Sequence, residues 1–344
     1  MRVAIVDSQV AFIQGGAEML RTRLAEAMRA QGHQVENVLI PLSPSQPAAV
    51  AAAMDFVATI DPTRWDAPPD IVVALRFPGY LIEHPAKRVW LLHQMRQFYE
   101  YFEHTRARSG DPSAEAVRDR IVQADTRSLS AARDIRVQSR RIGERLFEHN
   151  GVRVDRTLLP PLPRADVFYR GRFDRYVFSA SRLENHKRQA ILIEAMAHVK
   201  ADVKAVIAGE GGAYHDYQRL IAARGVADRV MLVGLLADEV QAAWYANSLA
   251  VFFGPHDEDY GFITLEAMLS GKPVITCRDS GGPLHFVEDG VNGFVVDPDP
   301  VQVAARIDEL AARPARAREM GEAGYDRYRK LDLSWERTAA ALLA

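Results

Sequence analysis

Four carboxylates crowd into the stretch "FGPHDEDYGFITLEAM" at 253–268: Asp257, Glu258, Asp259 and Glu266. Acids at that density can hold a divalent cation, carry a proton or accept hydrogen bonds from sugar hydroxyls. Asp257-Glu258-Asp259 has the D-x-D form of a cation–diphosphate site, but the pattern recurs at 297–299 and has low specificity. Glu258 and Glu266 stand eight positions apart, roughly 12 Å if the interval is helical, too far to pinch one ion. A loop running into a helix instead places the unsatisfied amides of Gly261, Phe262, Ile263 and Thr264 between the two acids. One glutamate then grips a hexose and the other a ribose, with phosphate on the amides. The competing reading of Glu266 is a first-turn acid favoured by the helix dipole.

The matching cations lie in "SRLENHKRQ" at 181–189, which offers Arg182, Lys187 and Arg188 directly after an apolar run. A guanidinium fork with a compact ammonium suits a diphosphate, and a solvated basic turn is the plainer alternative. With such cations present, a metal is less necessary. Gly15 and Gly16 follow the first apolar run; they read either as a tight turn or as a place where backbone amides approach an anion. Neither this pair nor "GEGG" at 209–212 completes a dinucleotide fingerprint, and no Walker-type loop occurs.

These groups need a frame that sets them at one rim. In the first half, "VAIV", "VENVLI", "DIVVAL" and "RVWLLH" read as strands, with Leu20, Leu24 and Met28 on one face of the first helix. After the stiff "PPLP" at 160–163 the pattern restarts, with five strands at 176–180, 203–209, 229–234, 249–255 and 273–276 alternating with helices. That alternation implies parallel, doubly wound α/β sheets whose ligands sit at the carboxyl ends of the strands. The expectation is two facing Rossmann-like domains with a cleft between them. Residues 1–164 form the first and 165–332 the second, and a terminal helix at about 333–344 returns to the first.

At 344 residues the chain has material for two cores. A net charge of −2 argues against nucleic acid as partner. One cysteine, Cys277, allows no internal disulfide and fits a reducing compartment. No window reaches the apolar length of a spanning helix, so the expected location is cytoplasmic. The aromatic–basic run "WLLHQMRQFYEYFEHTRAR" at 90–108 reads either as an amphipathic helix on the core or as a surface for a glycan or lipid-linked acceptor. The second reading brings with it a peripheral position on the inner membrane face.

With "GGAE" at 15–18, "SRLENHK", "EDYGFITLEAMLSGKPVIT" and "GGPLHFVEDGVNGFVV", the chain resembles glycosyltransferase family 4, retaining enzymes of the GT-B fold. The resemblance runs nearly end to end. It implies transfer of a hexose from a UDP- or GDP-type nucleotide sugar to a hydroxyl of a glycan, lipid-linked or small-molecule acceptor, with no cofactor and no metal. Arg182 and Lys187 then face the diphosphate, Glu258 the donor sugar and Glu266 the ribose. Gly15, Gly16, Gly261, Phe262, Ile263 and Thr264 line the donor, and backbone groups from Met231 to Gly234 receive the base. The resemblance matches His93, at the end of "RVWLLH", to a histidine beside the transferred sugar. Asp259-Tyr260 departs from the usual signature and leaves room for a metal role. Two rival classes share this shape: a nucleotide-sugar epimerase, which turns over donor without acceptor, and a binding module that turns over nothing.

Overall fold

The structure, a computed structural model, describes residues 1–13 and 15–344. It divides into two compact units, residues 1–163 with 333–344, and residues 164–332. The division falls directly after the proline run, where proline's fixed φ and missing donor keep the chain out of helix and sheet.

Unit 1 follows its hydrophobic text. β1 (Arg2–Gln9) is buried from Val3 to Ser8, as expected of a strand covered on both faces. It leads to α1 (Gly16–Ala30), β2 (Gln34–Pro41), α2 (Pro47–Ala58), β3 (Ile71–Arg76) and β4 (Lys87–His93). Then come α3 (Phe102–Ser109), α4 (Ala114–Ser130), β5 (Asp134–Val137) and α5 (Arg140–Asn150). The sheet is parallel with order β2-β1-β3-β4-β5, so the winding reverses between β1 and β3. Trp90 of β4 is fully buried, and its indole N–H donates to the Leu158 carbonyl at 2.9 Å, which satisfies the one polar atom it takes into the core.

Unit 2 holds β6 (Tyr176–Ala180), α6 (Gln189–Ala195), β7 (Lys204–Ala208), α7 (Tyr214–Arg224), β8 (Val230–Gly234) and α8 (Asp238–Asn247). It continues with β9 (Ala250–Phe252), α9 (Phe262–Leu269), β10 (Val274–Cys277), β11 (Gly293–Val296), α10 (Pro300–Ala312) and α11 (Pro314–Leu331). Its six parallel strands run β11-β10-β9-β6-β7-β8, one more than the five expected from sequence. The additional strand, β11, is a four-residue edge strand whose short apolar run follows a turn. The reversal here lies between β6 and β9. The chain ends in α12 (Trp335–Leu343), which belongs to unit 1. There the Trp335 indole donates to the Leu162 carbonyl, Gln31 to that of Glu336, and Arg136 to that of Ala341.

Candidate functional site

A parallel sheet leaves its carboxyl edge open for a ligand where the winding reverses. In unit 2 the strands on either side of that point pair directly, Val177 with Ala250 and Phe178 with Val251. The loops leaving them, 181–188 and 253–261, therefore become neighbours. Lys187 Nζ lies 2.5 Å from Glu258 Oε2, with the two side chains 12% and 18% exposed. Two groups expected on different parts of a donor thus neutralise each other. Arg182, in the same loop, is exposed, and its guanidinium has no partner among the described residues.

Both loops are held by close backbone packing. Under the Arg182 loop, a Cβ on Gly209 would sit 1.9 Å from the Ser181 carbonyl oxygen and one on Gly211 2.4 Å from that of Leu183. Both glycines are at positive φ, 128° and 156°. Only glycine permits that approach, and the amides of Ser181 and Leu183 donate to the carbonyls of Ala208 and Glu210 across it. Under the acidic loop, the Glu258 amide donates to the Ser280 carbonyl and the Gly282 amide to the Glu258 carbonyl. A methyl on Gly282 would meet the Tyr260 backbone at 2.6 Å.

Arg188 is the second brace. Its Nη1 and Nη2 reach the two oxygens of Asp279 at 2.9 and 2.6 Å, while Nε and Nη2 donate to the carbonyls of Gly254 and Pro255. The Arg188 hydrogen bonds hold the Asp279 carboxyl below its usual range. With all three guanidinium nitrogens engaged internally, Arg188 ties the two loops together. Sequence reasoning missed Gly209, Gly211, Asp279 and Gly282 as parts of the site, although each directly follows an apolar run or its turn.

Gly261, at φ 88°, opens α9, and no side chain caps that helix. Its first amides, those of Phe262 and Ile263, cannot find intrahelical partners. Thr264 differs from expectation: its amide donates back to the Gly261 carbonyl at 2.9 Å, while its buried hydroxyl has no partner. Glu266 lies past the first turn, so the dipole reading does not hold. Burial pushes it up to about 7, partly offset by the Tyr245 hydroxyl beside it. It is half-buried and near neutrality holds a mixture of acid and carboxylate.

Gly234 ends β8 at φ 71°, and its carbonyl accepts from the Gly209 amide, which places it at the same rim. Met231 is the second residue of that strand, about 10 Å from its carboxyl end at the ordinary strand rise. In unit 1, Gly16 begins α1. The Gly15 amide donates to Glu18 Oε2 at 2.9 Å in a capping-box arrangement, which corrects the expectation of an open anion-binding amide there. His93 closes β4 at the carboxyl edge, half-buried, with ring Nδ1 2.8 Å from the Gln94 carbonyl.

The second D-x-D is structural: Asp297 pairs with Arg278, and Asp299 caps α10 by accepting from the Val301 amide. Asp257 has a positive φ of 48°. Among the described residues no group of three His, Cys, Asp or Glu is arranged to hold a metal ion, and no helix is long and apolar enough to cross a membrane.

Residues 172–327 match the family described as "Glycosyl transferases group 1". Among curated relatives, the GDP-mannose-dependent alpha-(1-6)-phosphatidylinositol monomannoside mannosyltransferase of Mycolicibacterium smegmatis is 34% identical over 217 residues, 58% of this chain and 55% of that protein. The alpha-D-kanosaminyltransferase of Streptomyces kanamyceticus is 31% identical over 150 residues, 42% of this chain and 39% of that protein. The chain thus spans about half, or less, of the length of these relatives. Sucrose-phosphate synthase from Thermosynechococcus elongatus superposes with a TM-score of 0.77 at 20% identity, covering 99% of this chain and 96% of that one. Anabaena Alr3699/HepE in complex with UDP-glucose gives 0.72 at 18% identity, over 100% and 99%. The fold is GT-B, and residues 172–327, within unit 2, match the glycosyl transferase group 1 family.

Proposed function

We propose that the protein is a retaining glycosyltransferase that moves a hexose from a nucleoside-diphosphate sugar to an acceptor hydroxyl. The observation that supports it most strongly is the rim of unit 2, where an unpartnered Arg182, the Lys187–Glu258 pair and the uncapped start of α9 meet at the winding reversal. An entering diphosphate takes Arg182 and the α9 amides and draws Lys187 away from Glu258. Glu258 is then released to accept hydrogen bonds from hexose hydroxyls, and the side chain of Glu266 and the carboxyl end of β8 are left for the ribose and base.

In the reaction the bond from the anomeric carbon to the diphosphate oxygen breaks, and the bond to the acceptor oxygen forms on the same face. The acceptor proton passes to the departing phosphate. Arg182 and Lys187 stabilise the charge growing on that leaving group, which in such sites is the largest catalytic contribution. This scheme needs no metal and no covalent adduct. His93 is assigned to the transferred sugar, and the region 90–108 of unit 1 to a glycan or lipid-linked acceptor.

A thermal-shift panel of UDP-, GDP-, ADP- and TDP-sugars, with and without EDTA, tests the donor side. One nucleotide class should raise the melting temperature in a concentration-dependent way, unchanged by chelator. Incubating that donor with and without candidate acceptors then separates the reactions. Transfer with retained anomeric configuration supports the reading; epimerised donor in the absence of acceptor, or loss of binding in EDTA, overturns it.

A further inference from the structure

Unit 1 buries a carboxylate with no cation to balance it. Asp125, on α4, is completely inaccessible, and Tyr80 and Tyr99 donate to its two oxygens at 2.8 and 2.7 Å. The Gln94 side chain also hydrogen-bonds to it and donates to Asn150 Oδ1 at 2.6 Å. Asn150, the last residue of α5, donates in turn to Thr126 Oγ1 at 2.8 Å and to the Val122 carbonyl at 3.3 Å. The charged and titratable neighbours from the surrounding elements are engaged elsewhere. Lys87 of β4 bonds the Tyr80 carbonyl and Ser128, and the His149 ring of α5 lies against Tyr99 at 5.0 Å. Glu100 pairs with Arg145 at 3.0 Å.

An unpaired buried acid is costly, and an apolar side chain of similar size would avoid that cost. What the acid gains is position. Tyr80 follows β3, while Gln94 and Tyr99 follow β4, so one carboxylate ties together the loops leaving the carboxyl ends of two adjacent strands. Gln94 is held at its side chain by this network and presents its carbonyl to His93. A carbonyl can only accept, so Nδ1 of His93 carries a proton.

We propose that Asp125 is a positioning residue that, through Gln94, fixes the ring and tautomer of His93 beside the transferred sugar. This rests on the glycosyltransferase reading given above. Asp125 does not touch substrate. Burial pushes its carboxyl up to about 7, against the hydrogen bonds from Tyr99, Tyr80 and Gln94, so the network is poised to respond near neutral pH.

The test compares the full-length protein with its Asp125→Asn variant, using the donor identified by the thermal-shift panel. Asp125→Asn should lower kcat/KM for the acceptor by about 10- to 100-fold, the scale of a small misplacement of a reacting group. The thermal shift induced by the nucleoside diphosphate alone, which lacks the sugar that His93 faces, should stay as in wild type. Tyr99→Phe, which removes the hydroxyl that donates to Asp125 and accepts from Asn150 with little change of volume, should move the same parameters by a smaller factor, and it replaces Asp125→Asn if that variant does not fold. NMR of the His93 ring gives a readout independent of turnover: the Nδ1–H tautomer should dominate in wild type and lose its dominance in the variants. If wild type transfers no sugar, the enzyme reading fails while the ring spectra still decide the positioning role. Unchanged spectra and acceptor kinetics, or the diphosphate-induced shift and acceptor parameters falling together with the melting temperature, overturn the inference.

Discussion

Each sheet reverses its winding once, and the two reversal points treat charge in opposite ways. In unit 1 the edge between β1 and β3 is closed by two acids and two arginines that satisfy one another. Arg76 bonds both oxygens of Asp7 at 2.7 and 2.8 Å and Glu18 at 2.9 Å, while Arg21 takes Asp7 at 3.0 Å. All four are buried. Burial would raise Glu18, but the Arg76 charge and hydrogen bond, with the backbone amides, bring it below its ordinary value. In unit 2 the corresponding edge keeps Arg182 exposed and unpartnered, and holds Lys187 with a single half-buried acid. The same position in two related frames is therefore a lock in one and a receptive site in the other. The counting of partners separates them, since a cation whose donors are all engaged by buried acids has nothing left for a ligand.

The contrast can be broken from either side, and the largest effect is expected at the lock. Asp7→Ala leaves Arg76 and Arg21 buried without their main counter-charge and should cost about 3–5 kcal/mol of folding free energy. Urea unfolding measures it, and a loss below about 1 kcal/mol would show that the quartet is not closed as described.

At the receptive site the effect should appear in turnover instead. Arg182→Ala and Lys187→Ala should each lower kcat by about 10²–10³, the scale of removing one donor that stabilises developing charge, with melting temperatures within a few degrees of wild type. Normal turnover in both variants would remove the phosphate role from this rim.

A pH titration sharpens the comparison with a third kind of buried charge, the uncompensated one. Because the folded-state pKa of Asp125 is raised to about 7 from its ordinary 3.8, its contribution to stability is fully present below about pH 4 and is lost as pH rises through 7. Asp125→Asn does not titrate. The stability of wild type relative to that variant should therefore fall between pH 4.5 and 7.5 and then level off. A difference that stays constant across that range would mean the carboxyl is not held in an apolar setting.

Much of this organisation is legible in the sequence. Each long apolar run became a strand, and the polar residues after it reached the carboxyl edge, because buried parallel strands must be continuous and their loops must surface. That logic placed Arg182, Lys187, Glu258 and His93 at sheet rims. It gave no warning that Lys187 and Glu258 touch, since their contact depends on β6 lying beside β9, which no local pattern encodes. The quartet was equally hidden: Asp7 and Arg76 are brought together by the pairing of β1 with β3. β11 was missed because four residues behind a turn carry too little periodicity to be read.

The Lys187–Glu258 contact also sets a filter on what can occupy the rim. Glu258 is a decoy anion tethered to the same fold, so its effective concentration at the ammonium is on the order of millimolar or higher. A stray chloride or inorganic phosphate must compete with that resident alone and gains only one handhold. Under the proposed function, a ligand carrying base, ribose, diphosphate and hexose would displace it with several handholds at once, and the displaced acid would itself become a contact for the intact molecule but not for its fragments.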